Sequence, residues 1–307
     1  MLLILPKWEA FWQQRFYIFW EEQYDLSPCG SGFFFWLIVA HFYHDTQVGL
    51  ATAIISVASF IMNLSILGLN YSIIRFLPQS INNRKETNQL LTGSFLLVGL
   101  AAALFAGIFL TLLPYLSPRL LFLREGMTGW AFFFFTIAIS ADFFTESIFL
   151  ALRAGRFIFL KNVVVSVCKV ALPIFFIGVG AVGIFSSWAL AICSALIVSY
   201  IVLSKKFSFR FSSVFPKKKM SEMIGFSSVN FFVGMLGIAP GLILPVLITN
   251  TINPQTAAYF YVAFMIANLL YTIPYATTQS LFAEGSHNED TFLMSIKKAC
   301  KMIGMLM

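Results

Sequence analysis

The chain has 307 residues, of which 59% are hydrophobic, 17% aromatic and only 11% charged. A soluble domain carries about 25% charged residues, so that class is excluded. The net charge of +7 does not point to nucleic acid, because the basic residues sit in short clusters between apolar runs, as in a polytopic membrane protein.

A helix rises about 1.5 Å per residue and the hydrocarbon layer is about 30 Å thick, so a span needs about 20 residues. In residues 1–31, Trp8, Phe11, Trp12, Phe16, Phe19 and Trp20 follow helical spacing, which predicts a helix lying in the interface. No basic leader with a small-residue cleavage site precedes it, so the spans themselves must direct insertion. The polar stretch "EEQYDLSPCGSG" follows, where half of a first span would stand, and "GFFFWLIVAHFY" from Gly32 is only half a span. Seven full runs come next, at 48–74, 90–113, 130–152, 162–182, 184–203, 225–249 and 257–283. The final "KMIGMLM" reads as the first turns of another helix. The runs lack the alternation of a closed barrel, so the predicted class is an all-α polytopic membrane protein.

The connecting loops alternate in charge. Arg75, Arg84 and Lys85 follow the first run, Arg153, Arg156 and Lys161 the third, Lys205 to Lys219 the fifth, and Lys297, Lys298 and Lys301 the last. The alternate loops hold Arg119 and Arg124 alone, two basic residues against fifteen. The positive-inside bias therefore predicts a cytoplasmic N-terminus and cytoplasmic basic loops, in the cytoplasmic membrane. The run Lys217–Lys219 serves that topology and can attract anionic membrane lipid.

Asp45–Phe76 lies over Asn253–Glu284 at a constant offset of 208, with Gln47 over Gln255 and Ser72 over Ser280. Both segments start in a short non-basic loop and end at a polar one, which suggests two lobes in parallel orientation. The boundaries that follow are an interfacial segment 1–31, a first lobe 32–203, a basic linker 204–224 and an incomplete second lobe 225–307.

"VGLATAIISVASFIMNLSILGLNYSIIRFLP" and "APGLILPVLITNTINPQTAAYFYVAFMIANLLYTIPYATTQSLFAEGS" resemble the polysaccharide biosynthesis proteins, lipid-linked oligosaccharide flippases of the superfamily that also holds multidrug exporters. The resemblance runs from about Phe33 to the end. It implies two six-helix lobes rocking around a central cavity, with a lipid-linked sugar as cargo. Against that pattern the first span is disrupted and most of the second lobe is missing. The chain is therefore expected to be a fragment that inserts but moves no cargo alone, with the missing half as a candidate partner chain. The alternatives are a cation-coupled drug exporter and a membrane-embedded glycosyltransferase or polymerase. The latter would need a loop rich in acids, whereas 204–224 holds only Glu222. No enzyme activity, cofactor or nucleic-acid partner is expected, and no GxxxxGK[ST] motif is present; a coupling cation is left open.

The run 130–152 carries Asp142 and Glu146, each costing about 2.5–3.5 kcal/mol at mid-membrane if unpaired. They are four apart and share a helix face. Reflecting the helix about the 153–161 loop sets Glu146 level with residue 168, beside Lys169, and Asp142 level with 172, beside Pro173. Lys169 is thus the expected partner of Glu146. Two readings stand: a structural ion pair, or a cavity wall binding cargo or a cation. Arg75 either snorkels to the surface or contacts a pyrophosphate. Pro173, Pro240, Pro245 and Pro274 are candidate helix breaks. His41 and His44 lack a third ligand, and the four cysteines show no CxxC, so no metal site is expected.

Overall fold

The run 48–74 does not fold as one helix. In the computed structural model, which describes residues 31–81, 83–152, 154–212, 216–264 and 266–267, it breaks at Leu67 and Gly68, both with positive φ (51° and 71°). Before the break come α1 (Ser31–Phe42) and α2 (Asp45–Ile66), and after it α3 (Leu69–Ser80). Leu67 is an uncommon residue in the left-handed region, and Gly68 carries the second such residue without a Cβ penalty. A Cβ on Gly68 would also lie 2.6 Å from the Ser227 carbonyl oxygen, so the break is where another helix crosses. A glycine inside an apolar run was the available signal, and run length alone overrode it.

The chain continues through α4 (Arg84–Leu116), a 3₁₀ segment (Pro118–Arg124), α5 (Met127–Ala151), α6 (Gly155–Phe175), a 3₁₀ turn (Ile177–Val179), α7 (Ala181–Lys206) and α8 (Lys217–Thr251). Residues 254–264 are again helical. Among the described residues all regular structure is helical, and α2, α4, α5, α6 and α7 are long and apolar enough to cross a membrane. Residues 1–30, on which the expected interfacial helix falls, Pro274, most of the 257–283 run and "KMIGMLM" lie outside the described residues.

Periodicity decides which face each helix buries. In α4 the leucines and isoleucine at 96, 100, 104, 108 and 112 recur every fourth residue and point outward, while Ser94, Val98, Ala102 and Ala106 form the buried stripe. That is the arrangement a bilayer favours, with small residues at helix contacts and branched apolar ones toward lipid. The spans differ most at the extremes: α2 buries most of its 22 residues and α6 only Lys161, Val165, Lys169 and Pro173. So α2 is the central helix, contacting α4, α5, α7 and α8, and α6 is peripheral. Buried hydroxyls on α2 bond back to its own carbonyls, Thr52 to Gly49 (2.8 Å) and Ser65 to Ile61 (2.5 Å), which spares them an unsatisfied group in hydrocarbon.

Alternate connections gather at opposite ends. At one end Thr87 Oγ1 donates to the Ser80 carbonyl (2.7 Å), Ser212 N to Thr92 Oγ1 (3.0 Å), and Lys219 pairs with Glu86. Phe157, in the first turn of α6, packs on Phe149 and Phe207 at the same end. These are the connections with the basic residues. At the other end Tyr43 Oη donates to the Pro173 carbonyl (2.7 Å), and Gly49 lies so close to the Pro254 carbonyl that no Cβ fits. There too Asn250 exchanges hydrogen bonds with Ser117 (2.9 Å) and Leu116 (3.0 Å), and Arg119 donates to the carbonyls of Thr249 and Ile252 at the C-terminus of α8. A cation on those last carbonyls satisfies groups the helix leaves open and suits its dipole.

Phe34–Tyr261 form one compact unit. It contains α8, which the sequence assigned to a second lobe and which packs along α2 and α3. Ser72 Oγ binds the Met223 carbonyl (2.7 Å) and shares a 2.5 Å hydrogen bond with Ser227 Oγ. Asp45 is the first residue of α2, Asn253 accepts from Thr256 N (2.7 Å) at the start of the 254–264 helix, and Asp45 accepts from Tyr259 (2.9 Å).

Candidate functional site: a buried acid–lysine cluster

The α5 sequence places its polar groups on one inward side. Thr136 donates to the Phe132 carbonyl (2.7 Å) and Ser140 to that of Thr136 (2.9 Å), so each hydroxyl is satisfied within its own helix. One turn on, Asp142, Thr145 and Glu146 occupy i, i+3 and i+4. The peripheral helix α6 has a single buried stripe, Lys161, Val165, Lys169 and Pro173, spaced by four. Two of the four residues that α6 turns inward are therefore cations.

Lys161 meets both carboxylates. Its Nζ lies 2.9 Å from Asp142 Oδ2 and 3.1 Å from Glu146 Oε1, and its side chain is 1% exposed. It also donates toward the Asp142 carbonyl (3.1 Å) and Thr145 Oγ1 (3.4 Å). Thr145 in turn donates to the Asp142 carbonyl (2.6 Å) and reaches Ser199 on α7 (3.3 Å). Lys169, two turns along the stripe, is buried with its ammonium 5.7 Å from the centre of the Trp188 ring, a cation–π distance. It lies within electrostatic range of Asp142, as does Cys193 of α7. Two acids and two lysines thus offset one another inside the helix bundle.

Lys161 is thus a close partner of Glu146 that the sequence reading, with Lys169 opposite Glu146, leaves in the loop. The reason is the turn. Hydropathy starts the apolar run at residue 162, with Lys161 in the loop, whereas α5 ends at Ala151 and α6 begins at Gly155. Reflection about residue 153 rather than 157 sets Glu146 level with residue 160, beside Lys161. The loop charge count loses one member and the alternation survives. Pro173 lies at the far end of α6, where its carbonyl accepts Tyr43, and not beside Asp142.

The other candidates fall elsewhere. Arg75 sits on α3, exposed, with its guanidinium 4.5 Å from the Phe226 ring and 5.7 Å from that of Phe76. Among the described residues no ion pair or hydrogen bond joins it to the acid–lysine cluster. Pro240 and Pro245 lie within the unbroken span of α8, and the Pro245 carbonyl accepts Thr249 Oγ1 at 2.7 Å. Among the described residues no group of His, Cys, Asp or Glu could hold a metal, and His44 sits at the start of α2 with its N–H on Gln47 Oε1 (3.3 Å).

Helices long and apolar enough to span, alternating ends and a buried charge cluster paired between two of the helices define a multi-pass all-α membrane protein. More particularly, the chain belongs to the polysaccharide biosynthesis protein family, whose model matches residues 30–282. No curated protein and no solved structure matches it.

Proposed function

We propose that this chain is part of a flippase that moves a lipid-linked oligosaccharide or polysaccharide precursor across the cytoplasmic membrane by alternating access, without covalent chemistry. The observation that carries the reading is the family match over 30–282 on a chain whose described core is a bundle of apolar spans. The basic connections gather at one end, which the positive-inside bias assigns to the cytoplasm. Within this reading Arg75, presented on an aromatic platform near that end, is the candidate contact for a carrier pyrophosphate. Asp142, Glu146, Lys161 and Lys169 tie α6 to α5 inside one lobe, and a second lobe rocks against it.

The test is the sidedness of the lipid-linked sugar in cells with and without the gene. A membrane-impermeant probe of the sugar is expected to label it only when the protein is present, with the total amount made unchanged. Unchanged outer labelling in the deletion would refute the transport reading. A deletion that makes no lipid-linked sugar at all would favour a membrane-embedded glycosyltransferase.

A further inference from the structure

The oxygens around Lys161 outnumber what an ammonium needs. Three N–H donors face four oxygens, at 2.9, 3.1, 3.1 and 3.4 Å, from one carboxylate of each kind, one main-chain carbonyl and one hydroxyl. Carboxylate, carbonyl and hydroxyl oxygens are the donor set of hard cations, and they surround Nζ here as they would an ion. A fifth oxygen, Asp142 Oδ1, is buried in the same cluster without a hydrogen-bond partner, on a residue 7% exposed. The groups facing the nest are Glu146 and Thr145 from α5, Lys161 and Lys169 from α6, and Ser199 and Cys193 from α7.

We propose that Asp142, Thr145 and Glu146 form a nest for a monovalent cation and that Lys161 is its permanent, tethered occupant. The covalent tether keeps the head group at high effective concentration, so a free ion cannot compete for the place. The wild-type site therefore takes no alkali ion, and removing the lysine head creates a site that does. Ammonium is the closest free analogue of that head group, and potassium resembles it in charge and size. The inference concerns the nest alone and holds whether or not the protein moves a lipid-linked sugar.

The test is thermal unfolding of the full chain in detergent, followed by tryptophan fluorescence, in equal concentrations of ammonium, potassium, sodium or choline chloride. The wild type is expected to unfold at the same temperature in all four. Lys161→Ala is expected to unfold earlier in choline and to gain about 2–4 °C in at least one of the small-cation salts. Lys161→Ala combined with Asp142→Asn should lose that response, because the nest has lost a charge. Lys161→Ser serves as a second variant, and each variant is purified in each salt. A small-cation response in the wild type overturns the proposal, as does no response in either single variant or an undiminished one in the double variant. Failure of both single variants to accumulate in every salt also overturns it, since no free ion then fills the lysine's place.

Discussion

Replacing Lys161 by Met keeps most of the side-chain volume and removes only the cation. Asp142 and Glu146 would then be buried side by side, 10% and 17% exposed, with their contacting charge gone. Breaking one partner out of a buried ion pair costs about 3–5 kcal/mol, a large share of the 5–15 kcal/mol that holds a typical fold. Asp142→Asn alone keeps an acceptor for Lys161 and should cost about 1–3 kcal/mol, the range for a weakened buried hydrogen bond. In the double variant the amide sits beside a thioether and Glu146 alone is left charged, with Lys169 near. The loss should then fall short of the sum of the singles by at least about 1.5 kcal/mol, within the range seen for contacting residues. The assay is reversible unfolding in mixed micelles, read by tryptophan fluorescence for all four corners of the cycle. If the two effects add to within about 0.5 kcal/mol, the pairing is refuted.

Gly68→Ala should destabilise by at least about 1–2 kcal/mol, from its left-handed backbone and from a Cβ 2.6 Å from the Ser227 oxygen. Gly99→Ala, with nothing within 4 Å of the new Cβ, should instead be neutral or stabilise by up to about 1 kcal/mol, and paired unfolding curves compare them. Arg119→Ala should cost about 1.5–3 kcal/mol through the lost charged bonds to Thr249 and Ile252, with faster hydrogen exchange confined to the last turn of α8. Single cysteines at Arg210 and Asn253 should label from opposite sides of intact cells, Asn253→Cys from outside. Outside labelling of Arg210→Cys without Asn253→Cys would reverse the orientation.

Composition and periodicity were sufficient for the class of protein. Apolar runs of span length have few solutions in a bilayer, so the helices at 90–113, 130–152 and 184–203 were legible, and the fourth-residue leucine stripe of α4 marks the face the bundle leaves exposed. The alternation of basic loops likewise stands in the sequence, because loop charge acts on insertion before any tertiary contact forms. The carboxylates at 142 and 146 announced a partner for the same reason, since hydrocarbon offers none.

The partner itself could not be read, because hydropathy marks where a run becomes apolar and not where a helix begins. Lys161 carries its charge two turns inside α6, and the close spacing of the Ala151 end of α5 and the Gly155 start of α6 brings it level with Glu146. The break at Leu67–Gly68 was hidden in a run apolar enough to cross unbroken, and the crossing of α8 at Ser227 is what the bend accommodates. Arg75, similarly, reads in sequence as the end of a span, whereas it lies within the separate helix α3 with its guanidinium over Phe226. Sequence thus marked segments apolar enough to enter a membrane and required that their buried charges be matched, since both follow from the solvent. Which lysine matches them, and where a helix bends, was decided by contacts between segments far apart in the chain.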